Sequence, residues 1–104
     1  NLQVLMLGDV SLDPAKHEVY VADELVPLSP TEFSLLQYLM INANVTVSLT
    51  NIIENVWGYE ADENDQVVKV TISRLRKKIE QDASEPRLIV NVPGVGYRFE
   101  TKTQ

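Results

Sequence analysis

The spacing of apolar positions changes twice along the chain. From Val4 to Leu28 the apolar residues fall in short extended runs: Val4-Leu5-Met6-Leu7, Val19-Tyr20-Val21 after Glu18, and Leu25-Val26-Pro27-Leu28. β-branched and aromatic residues at that density predict strands. Asp13-Pro14 and Ala22-Asp23-Glu24 read as turns. The second turn lacks glycine, and Asp23 is the residue in it best suited to a positive φ. A small antiparallel sheet is expected over residues 1–28.

From residue 29 the period becomes helical. Ser29-Pro30-Thr31-Glu32 is a start signal: Ser29 caps, Pro30 suits the first position, and Glu32 completes a capping box. Phe33, Leu36 and Met40 then share a face, with Leu39 beside them, and the helix should end near Asn42 to Asn44. A second start lies at Ser48. Leu49, Ile52, Ile53 and Val56 share its face, and Gly58 is the stop. Tyr59 to Asp65 is an acidic loop. A third helix is predicted from about 66 to 81, with Val68, Ile72, Leu75 and Ile79 on one narrow stripe.

After a polar connector containing Pro86, alternation returns in Leu88–Val92 and Tyr97–Glu100, around Pro93-Gly94-Val95-Gly96. That pattern predicts a hairpin over 88–100. The order is thus sheet, three helices within 29–82, then hairpin. Residues 1–104 make one α+β domain, laid out as a winged helix-turn-helix. The second and third helices are its reading unit and the hairpin its wing.

Charge sharpens this picture. The 104 residues carry a formal net charge of -6, yet Lys69 to Lys78 holds five cations: Lys69, Arg74, Arg76, Lys77 and Lys78. Lys69, Ser73, Arg74, Arg76 and Lys77 project away from the apolar stripe. The third helix therefore has one face for a core and one for something negative. The acids cluster elsewhere, at Glu60, Asp62, Glu63 and Asp65 and through the first quarter. Local potential therefore matters more than the total.

Other functional classes find little in the chain. It has no cysteine, hence no disulfide framework or thiolate metal site, which is compatible with a reducing cytoplasm. His17 is its one histidine, so no His-rich metal site is expected, and it reads as a surface residue beside a turn. No apolar run approaches the roughly 20 residues needed to span a bilayer, and no secretory signal is visible. Adjacent acids such as Asp23/Glu24 and Asp62/Glu63 lack a nucleophile–base arrangement, so no catalytic residue is assigned. No cofactor, metal or small-molecule ligand is expected. Trp57, Phe33 and Leu36 are most simply core.

Four blocks of sequence carry a resemblance. They are Leu28-Ser29-Pro30-Thr31-Glu32-Phe33-Ser34-Leu35-Leu36, Val56-Trp57-Gly58, Val68 to Ile79, and Gly94-Val95-Gly96-Tyr97-Arg98-Phe99. In that order they resemble the OmpR/PhoB family, the DNA-binding output domains of bacterial two-component response regulators. The resemblance covers nearly the whole chain. It implies sequence-specific binding to double-stranded promoter DNA at tandem half-sites. It also implies a receiver domain upstream of Asn1, with phosphorylation driving dimerisation. The chain does not begin with Met, which fits a piece of a longer protein.

The third helix would then enter the major groove, where Arg pairs with guanine and a methyl-bearing side chain meets thymine. Lys69, Ser73, Arg74 and Lys77 face solvent. Val70 among them either touches a thymine methyl or packs on the wing or first helix. Thr71, nearer the core edge, is placed to touch a phosphate. Arg76, on the shoulder, pairs either with Glu80 or with a phosphate. Ser48 and Thr50 at the second helix N-terminus would anchor phosphates.

In the wing, Gly94 lies in the turn over the minor groove. Arg98 is either a backbone contact or an ordinary strand arginine. Two positions depart from the family pattern. Pro93 stands where an Arg commonly reaches into the minor groove, and Lys69 stands where an acidic residue is frequent. The loop of Glu60, Asp62, Glu63 and Asp65 matches the family loop associated with RNA polymerase, and a merely solvated loop is the other reading. The alternative function is a degenerate winged helix acting mainly as a protein–protein interaction module, which the acidic balance and Pro93 favour.

Overall fold

The computed structural model describes residues 3–58 and 64–101. Its elements run in the expected order. The N-terminal sheet is an antiparallel meander of β1 (Leu5–Leu7), β2 (Val10–Asp13), β3 (Glu18–Val21) and β4 (Glu24–Val26). The sequence reading had missed β2, whose four residues alternate too briefly to stand out. Leu5, Leu12, Val19 and Val26 pair across the strands in one row. Leu12 and Val19 in that row are buried. Asp23 takes the expected positive φ of 68°, and Ala22 beside it does too, at 50°. Two successive left-handed residues are what a two-residue hairpin between right-twisted strands requires.

Helix α1 (Pro30–Ile41) starts with the capping box the sequence announced. The Ser29 hydroxyl accepts from the Glu32 amide, and the Glu32 carboxylate accepts from the Ser29 amide. Glu32 is also buried, and Lys78 Nζ donates to its Oε1 at 2.6 Å. Burial pushes the Glu32 carboxyl up, but the Lys78 ammonium and the Ser29 donors outweigh it, so its pKa lies below the ordinary value. The buried face of α1 is wider than the expected stripe and includes Leu35. His17 is exposed, and its ring stacks on Phe33 with centroids 3.9 Å apart.

Helix α2 (Leu49–Ile52) continues as a π-helical turn over Ile53–Trp57. The Gly58 amide closes that turn on the Ile53 carbonyl at 3.0 Å. The wider turn still leaves Leu49, Ile53, Val56 and Trp57 packed against the core, with Trp57 half-buried at its edge rather than inside it.

Helix α3 (Asp65–Ile79) is capped by Asn64 and buries Val68, Ile72, Leu75 and Ile79, the four residues of the expected stripe. It ends before the predicted limit because Glu80 leaves the helix in an extended conformation. The Glu80 carboxylate instead accepts from the amides of Arg87, Leu88 and Ile89.

The C-terminal hairpin is β6 (Ile89–Val92) and β7 (Gly96–Phe99). A strand not foreseen, β5 (Val47–Ser48), pairs with β7 and makes a three-stranded sheet in the order β5-β7-β6. Only glycine fits at position 96, since a Cβ there would lie 1.9 Å from the Val47 carbonyl oxygen. One core cluster joins both sheets and all three helices. Among the described residues, no helix is long and apolar enough to cross a membrane.

Two predictions follow from these contacts. Gly96→Ala should lower stability by about 1–3 kcal/mol, since no rotamer relieves a clash with backbone. Thermal denaturation checks this, and an unchanged Tm would refute it. Lys78→Met keeps the aliphatic stem but leaves the Glu32 carboxylate without its cation. A loss of about 1–2 kcal/mol at pH 7 is expected in urea denaturation. The sign with pH follows from the lowered Glu32 pKa. Its stabilising contribution is present above the unfolded value, near 4.5. It is lost as pH falls through the folded value. The gap between wild type and variant should therefore narrow as pH is lowered below that unfolded value.

Candidate nucleic-acid interface

The geometry of α3 sorts its cations. At roughly 100° per residue, Val70, Ser73, Arg74 and Lys77 lie directly opposite the buried stripe. They are spaced i, i+3, i+4, i+7 and form one continuous row, and all four are exposed. Val70 is 38% exposed and is not part of the core cluster. Lys69 is exposed on the flank nearer the hairpin. Among the described residues, Lys69, Arg74 and Lys77 have no hydrogen-bonded or ion-paired partner within the chain. Their charge is available to an outside ligand.

The other cations of the helix are engaged inside the fold. Lys78 holds Glu32 of α1 on one flank. Arg76, on the other flank, reaches the hairpin. Its Nε and Nη2 donate to the Ile89 carbonyl at 3.1 and 2.7 Å, and Nη2 also donates to Asn91 Oδ1 at 2.6 Å. The guanidinium carbon lies 5.7 Å from the centre of the Tyr97 ring. Burial lowers the Arg76 pKa, and the nearby Tyr97 and Glu80 act the other way. Arg76 makes no hydrogen bond to Glu80, whose carboxylate is occupied at the start of β6. The Glu80 pairing expected for Arg76 is therefore not formed, and Nη1 is left without a partner among the described residues.

Thr71 is half-buried, and its hydroxyl donates to the Val67 carbonyl at 2.8 Å. Only its acceptor capacity remains for another group. Arg98, on β7, is engaged within the chain. Its Nε donates to Glu100 Oε2 at 2.9 Å and its Nη1 to Thr46 Oγ1 at 3.1 Å. Ser48 caps α2 by accepting from the Asn51 amide at 3.1 Å, and its hydroxyl hydrogen has no acceptor among the described residues. Thr50, the second residue of α2, is exposed.

The wing tip is Pro93-Gly94-Val95. Gly94 has a φ of 77°, the left-handed conformation that closes the turn. All three tip residues are exposed and none is charged. β5 pairs Val47 with Tyr97 and Ser48 with Gly96. The α2 N-terminus and the wing therefore share one backbone ladder.

Asp65 is the first residue of α3 and exposed, where its charge suits the helix dipole. Glu60, Asp62 and Glu63, read as the rest of the acidic loop, lie outside the described residues. Among the described residues there is no group of three His, Cys, Asp or Glu side chains placed to hold a metal ion. The Asn64 cap was legible as an Asn just before the helical period. The pairing of Glu32 with Lys78 and the contacts of Glu80 were not, because those partners lie 46 residues and 7–9 residues away.

Comparison with known proteins bears on this surface. Residues 23–99 match the family model described as "Transcriptional regulatory protein, C terminal". A probable transcriptional regulator, ycf27, of Porphyridium aerugineum is 42% identical over 102 residues, covering 96% of this chain and 42% of that protein. The phosphate regulon transcriptional regulatory protein PhoB of Escherichia coli is 36% identical over 100 residues, covering 96% of this chain and 43% of PhoB. The chain thus spans less than half the length of these curated relatives. Among solved structures, the RstA DNA-binding domain of Klebsiella pneumoniae, in complex with the RstA box, superposes with a TM-score of 0.85. It is 34% identical, with 94% of this chain and 97% of that one covered. The response regulator DrrB of Thermotoga maritima, an OmpR/PhoB homologue, also superposes with a TM-score of 0.85, at 33% identity over 93% of this chain and 44% of DrrB.

Proposed function

The chain belongs to the OmpR/PhoB family of transcriptional regulatory C-terminal domains, and from that premise we propose how it reads DNA. Helix α3 lies in the major groove of duplex DNA with the row Val70, Ser73, Arg74 and Lys77 toward the bases, and Lys69 at the wing-side edge. Arg74 makes the bidentate guanine contact, and Val70 meets a thymine methyl. Ser48 and Thr50 donate to a backbone phosphate, which fixes the approach of α2 without reading sequence. The wing turn at Gly94 lies over the adjacent minor groove. One observation carries this reading: Lys69, Arg74 and Lys77 are exposed on α3 without partners among the described residues, while Arg76 and Lys78 are held within the fold.

The wing has no cation at its tip, so it contributes shape and apolar contact rather than charge. Discrimination between sites then falls on α3. The related RstA domain binds its box through the same fold, which supports the same use here. The longer relatives support an upstream receiver domain in this protein too. Its phosphorylation would pair two copies on tandem half-sites near a promoter, in the cytoplasm. Glu60, Asp62, Glu63 and Asp65 present an acidic surface to RNA polymerase. No residue in this scheme performs catalysis. The second reading, a protein-interaction module, draws its support from the net charge of -6 and the uncharged wing tip.

Fluorescence anisotropy with a randomised duplex pool, then with enriched sites across salt, separates the two. Wild type should enrich a short sequence, with each phosphate contact adding about -0.9 to the log–log salt slope. Arg74→Ala should weaken the enriched site by roughly 1–3 kcal/mol. No enrichment, with equal weak binding by both proteins, would favour the interaction module. Asp62→Lys or Glu63→Lys should leave duplex affinity intact and weaken only binding to polymerase. Loss of duplex binding in either folded variant would refute the loop assignment.

A further inference from the structure

We propose that Arg76 is a positioning residue: it locks the wing to the recognition helix and so sets the distance between the major-groove and minor-groove contacts, without touching DNA itself. This rests on the DNA-reading function above. The connection between α3 and β6 runs from Glu80 to Leu88 with no regular structure. The Glu80 carboxylate holds the amides at the start of β6, and β5 pairs with β7, so the base of the hairpin is tied and Arg76 acts on the orientation of its outer part. The Arg76 guanidinium spans the joint. It donates twice to Ile89 and once to Asn91, both on β6, and it faces the ring of Tyr97 on β7. Asn91 and Tyr97 are directly paired residues of the two strands. One side chain of α3 therefore holds both strands of the wing at once.

The chemistry suits arginine and not lysine. A planar guanidinium presents several donors in a fixed fork, whereas an ammonium is a point charge. Its half-buried placement also sets Arg76 apart from Lys69, Arg74 and Lys77, which are exposed. The Ile89 and Asn91 bonds occupy Nε and Nη2, so a phosphate contact would fall to Nη1 alone.

The test compares Arg76→Lys, Arg76→Met and Asn91→Ala with wild type on the enriched duplex and on random duplex. Positioning predicts that both Arg76 variants lose roughly tenfold on the enriched site, with the wild-type salt slope retained and a smaller loss on random duplex. Asn91→Ala should lose less, in the same direction, and add little to Arg76→Met, as coupled residues do. If Arg76→Lys binds like wild type while the slope of Arg76→Met falls by about one, Arg76 is a phosphate contact and the inference fails. Wild-type binding by all three variants also overturns it.

Backbone amide NMR of the free proteins provides an arm independent of DNA. Shifts across β6 and β7 in Arg76→Met and Asn91→Ala are expected, and an unmoved wing overturns the inference. Should Arg76→Met not fold, Asn91→Ala alone decides by the same readouts. Should wild type itself fail to bind duplex, the DNA reading fails, and the NMR arm still decides whether Arg76 holds the wing.

Discussion

The burial of one face of α3 is the constraint from which the rest of the structure follows. Val68, Ile72, Leu75 and Ile79 are at most 3% exposed, in a cluster that also contains α1 and both sheets. Burying these four side chains supplies much of the apolar area that holds a domain of this size together. It also fixes the rotation of the helix about its axis. Once the stripe faces inward, Val70, Ser73, Arg74 and Lys77 must face outward. A functional row cannot slide along such a helix without exposing the core, so stability and specificity are set by the same rotation.

The two flanks of α3 are where the fold takes up charge that the surface does not present. Lys78 neutralises a buried carboxylate on α1, and Arg76 ties the wing. Both sit roughly 90° from the buried stripe. Long aliphatic stems there cover apolar surface while the heads reach a neighbouring element. The division explains how an acidic domain suits a polyanion. Three cations of α3 without partners among the described residues create a local positive potential, while the carboxylates of Glu32, Glu80 and Glu100 are neutralised or hydrogen-bonded elsewhere. Field at the contact surface governs association more than the sum over the molecule.

Local signals made most of the fold legible. The capping box at Ser29, the stripe of α3, the stop at Gly58 and the turn at Gly94 all depend on residues a few positions apart, and each appears where the pattern put it. What escaped was non-local or very short. β2 and β5 are four and two residues long, too brief for a period to register. The partner of Glu32 lies 46 residues away. The contacts of Arg76 are 13 and 15 residues distant, and nothing in its own neighbourhood distinguishes it from Arg74. Helical spacing placed both on the polar side. Only the position of the hairpin separates a side chain that reads from one that braces.

The short strand β5 joins these threads. Val47 and Ser48 end the path from α1 and begin α2, and they do so inside the wing sheet. Ser48 is thus at once a ladder partner of Gly96 and the cap of α2. The absence of a side chain at Gly96 is what allows the two backbones to meet. The α2 N-terminus is therefore fixed to the wing by backbone hydrogen bonds, and the wing is fixed to α3 by Arg76. Each surface assigned to DNA is thus joined to the next by a defined contact. Where these contacts persist on binding, the spacing of the surfaces is set by the protein. A duplex that fits it must bring its groove spacing to the protein, and sequences that deform easily to that spacing are favoured even at base pairs that no side chain touches.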